Sequence, residues 1–144
     1  MISDIDGPSS DICFLSSEKK GLNIMDVNKM LQDIKSHPDF DNVGMVLCHN
    51  GVVRATSRDG REVSGLKVAV DHQRLAQILT AQRHKPGILD VRVEIAEDRD
   101  LAVGDDVMLL LVAGDIRENV IAVLTETLNL IKSTVTTKTE YFCQ

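Results

Sequence analysis

The sequence predicts an α+β domain in which a mixed or antiparallel sheet is layered with helices. Three observations predict it. The stretch "LDVRVEIAE" alternates, with Val91, Val93 and Ile95 on one face and Arg92 and Glu94 on the other, the period of a half-buried strand. The run "VMLLLVAG" is continuously apolar up to Gly114, as expected of a strand covered on both faces. Helical periodicity brackets these strands: Val27, Met30, Leu31 and Ile34 recur at i, i+3, i+4 and i+7.

Each element follows in order. A first helix is expected from Asp26 to about His37, closed by Pro38, because the residue before proline disfavours the α region. The next segment, "NVGMVLCHNGVVRATSRDGREVSGLKVAV", is β-rich and carries two turn signals, Asn50-Gly51 and Asp59-Gly60. Asp59-Gly60 is the preferred turn. Gly51 is then a bulge in one long bent strand from Val43 to Thr56, and Val63 to Val70 is the return strand.

Asp71 can cap a second helix to about Arg83, with Leu75, Ile78 and Leu79 on its buried face, and Pro86-Gly87 breaks it. "EDRDLAVGDD" reads as a polar connector. The last helix is expected from Asp115 to about Ser133, with Asp115 and Glu118 arranged like a capping box. The Thr-rich "TVTTKTEYFCQ" returns as a strand or extended tail. The order is α-β-β-α-β-β-α-β. Residues 1–22, with Gly7-Pro8-Ser9-Ser10, read as a loosely ordered arm, and 23–144 as one domain.

A chain of 144 residues with 43% hydrophobic and 26% charged content is long enough for one real core and ordinary for a soluble protein. The formal charge of −6 argues against nucleic-acid or anionic-membrane binding, which needs a basic face, but leaves room for a small basic pocket. No apolar run approaches the ~20 residues that cross a bilayer. The acidic, polar N-terminus "MISDIDGPSSDIC" does not resemble a signal peptide. Three cysteines (Cys13, Cys48, Cys143) without CxxC spacing point to a reduced, cytoplasmic protein with free thiols.

Candidate chemistry is sparse. Asp115, Arg117 and Glu118 are most simply a charged first turn; alternatively, Arg117 and the helix-start N–H groups form an anion site. Cys48-His49 is not a thiol–imidazole pair, because neighbours on a strand point to opposite faces; a buried Cys48 and an exposed His49 are expected. His37, His72 and His84 lack an i, i+4 partner, so no metal site and no resident cofactor are expected. Arg58 and Arg61 fit a solvated hairpin tip. Arg54, within a β run, either pairs with an acid or lines a pocket. Lys138 alone is most simply a surface lysine.

Together these residues resemble a known pattern, the large, MoaE-type subunit of molybdopterin synthase. "GVVR" at Gly51–Arg54 is similar to the family's "G-K-V-R", and "GDDVM" at Gly104–Met108 to its "G-D-E-I-V". "GDIR" at Gly114–Arg117 stands where the family has "S-A-H-R". "LNLIK" at Leu128–Lys132 and "TTKTE" at Thr136–Glu140 stand for "D-x-L-K" and "P-x-W-K-x-E". The resemblance spans residues 43–140. It implies an enzyme that moves sulfur from the C-terminal thiocarboxylate of a ubiquitin-like small subunit onto cyclic pyranopterin monophosphate. It also implies a homodimer, and a heterotetramer with the small subunit. Under it Arg54 and Arg117 hold the substrate phosphate, since guanidinium matches phosphate oxygens bidentately, and Lys138 is the catalytic lysine.

The departures are specific. Ile116 replaces the family's histidine, Val52 replaces the lysine of "G-K-V-R", and Val135-Thr136-Thr137 replaces "P-x-W", with Lys138 one residue early. The family's basic C-terminal segment with a second important lysine is expected to be missing after Gln144. Three functions stay open: a divergent synthase large subunit, a non-catalytic relative that binds the partner or a pterin, and an α+β interaction module unrelated to pterins.

Overall fold

The computed structural model describes residues 25–144; the expected arm over 1–22 lies outside them. Helix α1 spans Val27–Lys35, and Asp26 caps it by accepting the Lys29 N–H at 3.1 Å. Strands follow at β1 Met45–Val52 and β2 Val63–Val70, then helix α2 His72–Arg83. Next come β3 Ile88–Ile95, β4 Leu101–Ala102, β5 Asp106–Gly114, helix α3 Arg117–Thr134 and β6 Thr136–Phe142. Asp71 caps α2 through the Arg74 N–H at 3.1 Å, as its sequence predicts. Among the described residues, no helix is long and apolar enough to cross a membrane.

The strands form two three-stranded antiparallel sheets, β1-β5-β3 and β4-β2-β6. Strand β5 is central, and Leu109 to Ala113 are all 0% exposed. Its two faces serve two cores. Met108, Leu110 and Val112 pack with Ile78 of α2 and Val120, Val123 and Ile131 of α3. Leu109 packs the other way, with Leu66 and Val68 of β2, Leu101 of β4 and Met25. That double coverage is what the unbroken apolar run requires.

Four expectations are corrected. The first strand ends at Val52 rather than Thr56, although the bulge at Gly51 is present as a register shift. The Asp59-Gly60 turn is present, with the Gly60 N–H bonding the Ser57 carbonyl at 3.0 Å and Gly60 at φ +89°. Yet β1 and β2 meet only at this tip, through the Thr56–Glu62 bridge, before entering different sheets. Gly65 makes the second sheet possible, because a Cβ there would stand 2.2 Å from the Leu101 carbonyl oxygen.

Second, the polar connector contains buried β4, with Leu101 and Ala102 at 2% and 1% exposed. Third, α3 begins later than expected. Ile116 is its N-cap and makes no side-chain cap bond, while the Asp115 carboxylate turns back to the Ile116 N–H at 2.6 Å and Asn119 at 2.9 Å. Those two bonds hold the Asp115 carboxyl below its ordinary value, the Asn119 bond most. Fourth, free thiols are not general. Cys143 is disulfide-bonded, and Cys48 is the free cysteine among the described residues.

Candidate functional site

A cavity of about 300 Å³ opens where the two sheets meet the end of α3. That volume is at the lower end for a small-molecule site. Its walls are apolar: Leu66 and Val68 from β2, Ile95 from β3, Val107 and Met108 from β5. Four basic side chains face it, His49, Arg58, Lys132 and Lys138, and among the described residues no carboxylate lines it.

Each basic group arrives by a local cause. His49 shares a face of β1 with Leu47 and Gly51, two residues to either side. Its register partner Leu110 belongs to the helix-side core, so the imidazole points towards α3. Arg58 stands at the tip of the β1–β2 connection, in the turn closed by the Ser57 N–H to Arg61 carbonyl bond at 2.9 Å. Lys132 lies in the last turn of α3, where the helix dipole favours a cation. The chain then reverses through buried Val135, and Lys138 follows in β6 opposite Val68. Lys138 Nζ lies 3.6 Å from a Glu140 oxygen, with its side chain 53% exposed.

Burial, and secondarily the charge of Lys132, hold the His49 imidazole below its ordinary value. At neutral pH it is therefore uncharged. Cys48 is exposed on the opposite face, so the expected burial of this pair is inverted. The cause is that β1 is an edge strand whose odd-numbered positions face α3. Burial pushes the Cys48 thiol up, and it is no activated nucleophile.

Of the three residues expected to carry function, the structure brings only Lys138 to the cavity. Arg54 lies just past β1, exposed, and its Nε donates to the Thr56 carbonyl at 2.8 Å. Arg117 opens α3 with its side chain 78% exposed, 3.7 Å from Glu118. It precedes Lys132 by fifteen residues, or about 22 Å of helix at 1.5 Å per residue. Sequence reasoning missed His49, Arg58 and Lys132. Two signals were present: His49 shares the strand period of Leu47 and Gly51, and Lys132 lies six residues before Lys138 across a helix end.

A family model described as "MoaE protein" matches residues 21–134, which include Lys132 but stop short of β6 and Lys138. In three dimensions the chain is similar to molybdopterin synthase from Staphylococcus aureus, at 19% identity over 83% of this chain and 87% of that one, with a TM-score of 0.68. It is also similar to the molybdopterin biosynthesis MoaE protein from Burkholderia ambifaria (16% identity, 84% and 85% covered, TM-score 0.65). A third likeness is to a chain in the complex of subunits 1 and 2 of the molybdopterin-converting factor from Helicobacter pylori (16% identity, 82% and 84% covered, TM-score 0.62). Among curated proteins, none matches the chain. The family match covers most of the sequence and the fold agrees with it, so the chain belongs to the MoaE family.

Proposed function

We propose that this chain is the large subunit of a molybdopterin synthase and works in molybdenum cofactor biosynthesis. In this reading it transfers sulfur from a thiocarboxylated ubiquitin-like small subunit to cyclic pyranopterin monophosphate in the cavity at Lys138. One observation carries it: four basic side chains from separate segments converge on one apolar-walled cavity, and among the described residues no carboxylate lines it. Both reactants are anions, a phosphate ester and a thiocarboxylate tail. A cationic cleft with low-dielectric walls concentrates such partners even on a chain of net charge −6.

Lys138 and Lys132 then act on the tail and the transferring sulfur, and Arg117 holds phosphate. Arg117 reaches the cavity of a second copy rather than its own. Arg117, Ile121, Leu124, Leu128 and Lys132 share one helical face. Ile121 is 47% exposed there and Ile116, at the helix start, is 54% exposed. Antiparallel pairing of two α3 helices along this stripe covers those side chains and sets Arg117 of each copy beside Lys132 of the other. The small subunits complete a heterotetramer, which we place in the cytoplasm.

The test is a single-turnover reaction of the purified protein with thiocarboxylated small subunit and cyclic pyranopterin monophosphate, scored for molybdopterin. Product is expected. The replacement of the family's histidine by Ile116 favours a second reading, a non-catalytic member that keeps partner binding. A bound partner without product would decide for that reading.

A further inference from the structure

Sulfur transfer needs a group that carries a proton, and this inference rests on the sulfur-transfer reading. The bond that must break for release is the thioester that joins the partner's tail to the pterin through the transferred sulfur. Release adds water: a carbon–oxygen bond forms at the acyl carbon and the acyl carbon–sulfur bond breaks. The tail leaves as a carboxylic acid and the pterin keeps the sulfur as a thiol, with no change in redox state. One water proton must leave as oxygen attacks, and one must return to the departing thiolate. Ile116 has no proton to give or take, and the other basic groups lining the cavity are two lysines and an arginine.

Among the described residues His49 is the one imidazole lining the cavity, the side-chain type suited to taking and returning a proton. Its ring lies over Gly51, with Nε2 3.2 Å from where a Cβ on that residue would stand. A side chain at position 51 would press on the imidazole. Among the described residues no hydrogen bond engages either ring nitrogen. Among the described residues, the charged groups that line the cavity with it are Lys132 from α3, Arg58 from the β1–β2 tip and Lys138 from β6, the last 3.6 Å from a Glu140 oxygen. Burial first, and then the charge of Lys132, favours the neutral ring, the form that can accept a proton from water.

We propose that His49 is the proton-transfer residue of this cavity, performing from strand β1 the task that Ile116 cannot perform from the start of α3. Neutral His49 takes the proton of the attacking water, and the imidazolium returns it to the thiolate as the thioester opens. The lysines beside it stabilise the negative charge that builds on the acyl oxygen.

The experiment is the single-turnover reaction across the acid-to-neutral range with the full chain, His49→Gln and His49→Gly, alongside calorimetric binding of the small subunit. The unsubstituted protein should lose rate on acidification with a midpoint below about 6.5, the ordinary histidine value. His49→Gln should be slower by about 10²-fold or more and lack that acidic limb, with partner affinity unchanged. Added imidazole should restore part of the rate to His49→Gly, which a merely packing role would not allow. A His49→Gln protein with an undiminished rate and the same pH profile would overturn the assignment and leave sulfur transfer standing. Loss of folding or of partner binding in both variants would make His49 a structural residue and overturn it as well. No product from the unsubstituted protein with the partner bound would overturn both this assignment and the reading beneath it.

Discussion

Lys132 and Lys138 sit on either side of one chain reversal, exposed at their tips and directed into the same cavity. Truncating either should cost chemistry and not folding. Lys132→Ala and Lys138→Ala are each expected to cut molybdopterin formation about 10²-fold or more through lost charge stabilisation. Their unfolding free energy should stay within about 0.5 kcal/mol of the unsubstituted chain, as for other surface changes. Retained activity in Lys138→Ala would remove the role given to that residue. His49 provides a direct electrostatic check. Its folded-state affinity for the proton is below its unfolded one, so its contribution to stability is fully present above about 6.5. That contribution is lost as pH falls through the lowered value. Lys132→Met should raise the His49 midpoint towards the ordinary value in an NMR titration; a midpoint that does not move would separate the two groups. Lys138 was legible in the sequence through its motif. Arg58 was not, and His49 and Lys132 left only a strand period and a helix-end spacing, because each gains its meaning from residues far along the chain.

The elements were more legible than the site because their signals are local. The alternation of Val91, Val93 and Ile95, the apolar run ending at Gly114 and the Asp71 cap each specify structure within a few residues. Pairing is different. Nothing local tells Val63–Val70 to abandon β1 and join β6, and the two-residue strand Leu101–Ala102 is too short for periodicity to reveal. Ile116 at the α3 N-cap breaks the usual preference for a small polar residue there, so Asp115 attracted the cap assignment although it stands one residue too early. Gly65 is the residue on which the second sheet turns. Gly65→Ala forces a methyl group against the Leu101 carbonyl, and backbone is slow to yield. Its cost should be about 1–3 kcal/mol, read as a lower urea midpoint with an unchanged slope. An unchanged midpoint would mean that β4 can shift without loss.

For the whole molecule, the placement of Arg117 has a sharp consequence. If it serves the cavity of a second copy, two individually inactive chains should complement each other. Arg117→Ala and Lys138→Ala proteins, unfolded together and refolded as a mixture, should regain a fraction of the activity. Each mixed dimer would hold one cavity that keeps both groups. Activity that stays absent on mixing, with dimers present in sedimentation, would confine Arg117 to its own protomer or to no role. A second substitution checks the interface itself: Ile121→Glu puts a charge on the proposed helix stripe and should yield monomers.

The cavity's basic groups come from β1, the β1–β2 tip, the end of α3 and β6, so no single hairpin or helix owns the cavity. A ligand held by all of them binds the finished fold and nothing short of it. By mass action, each tenfold of free anion above its dissociation constant then adds about 1.4 kcal/mol to the native state. Inorganic phosphate should therefore raise the melting temperature where chloride at equal ionic strength does not. A chain assembled this way would carry its substrate as part of its own stability.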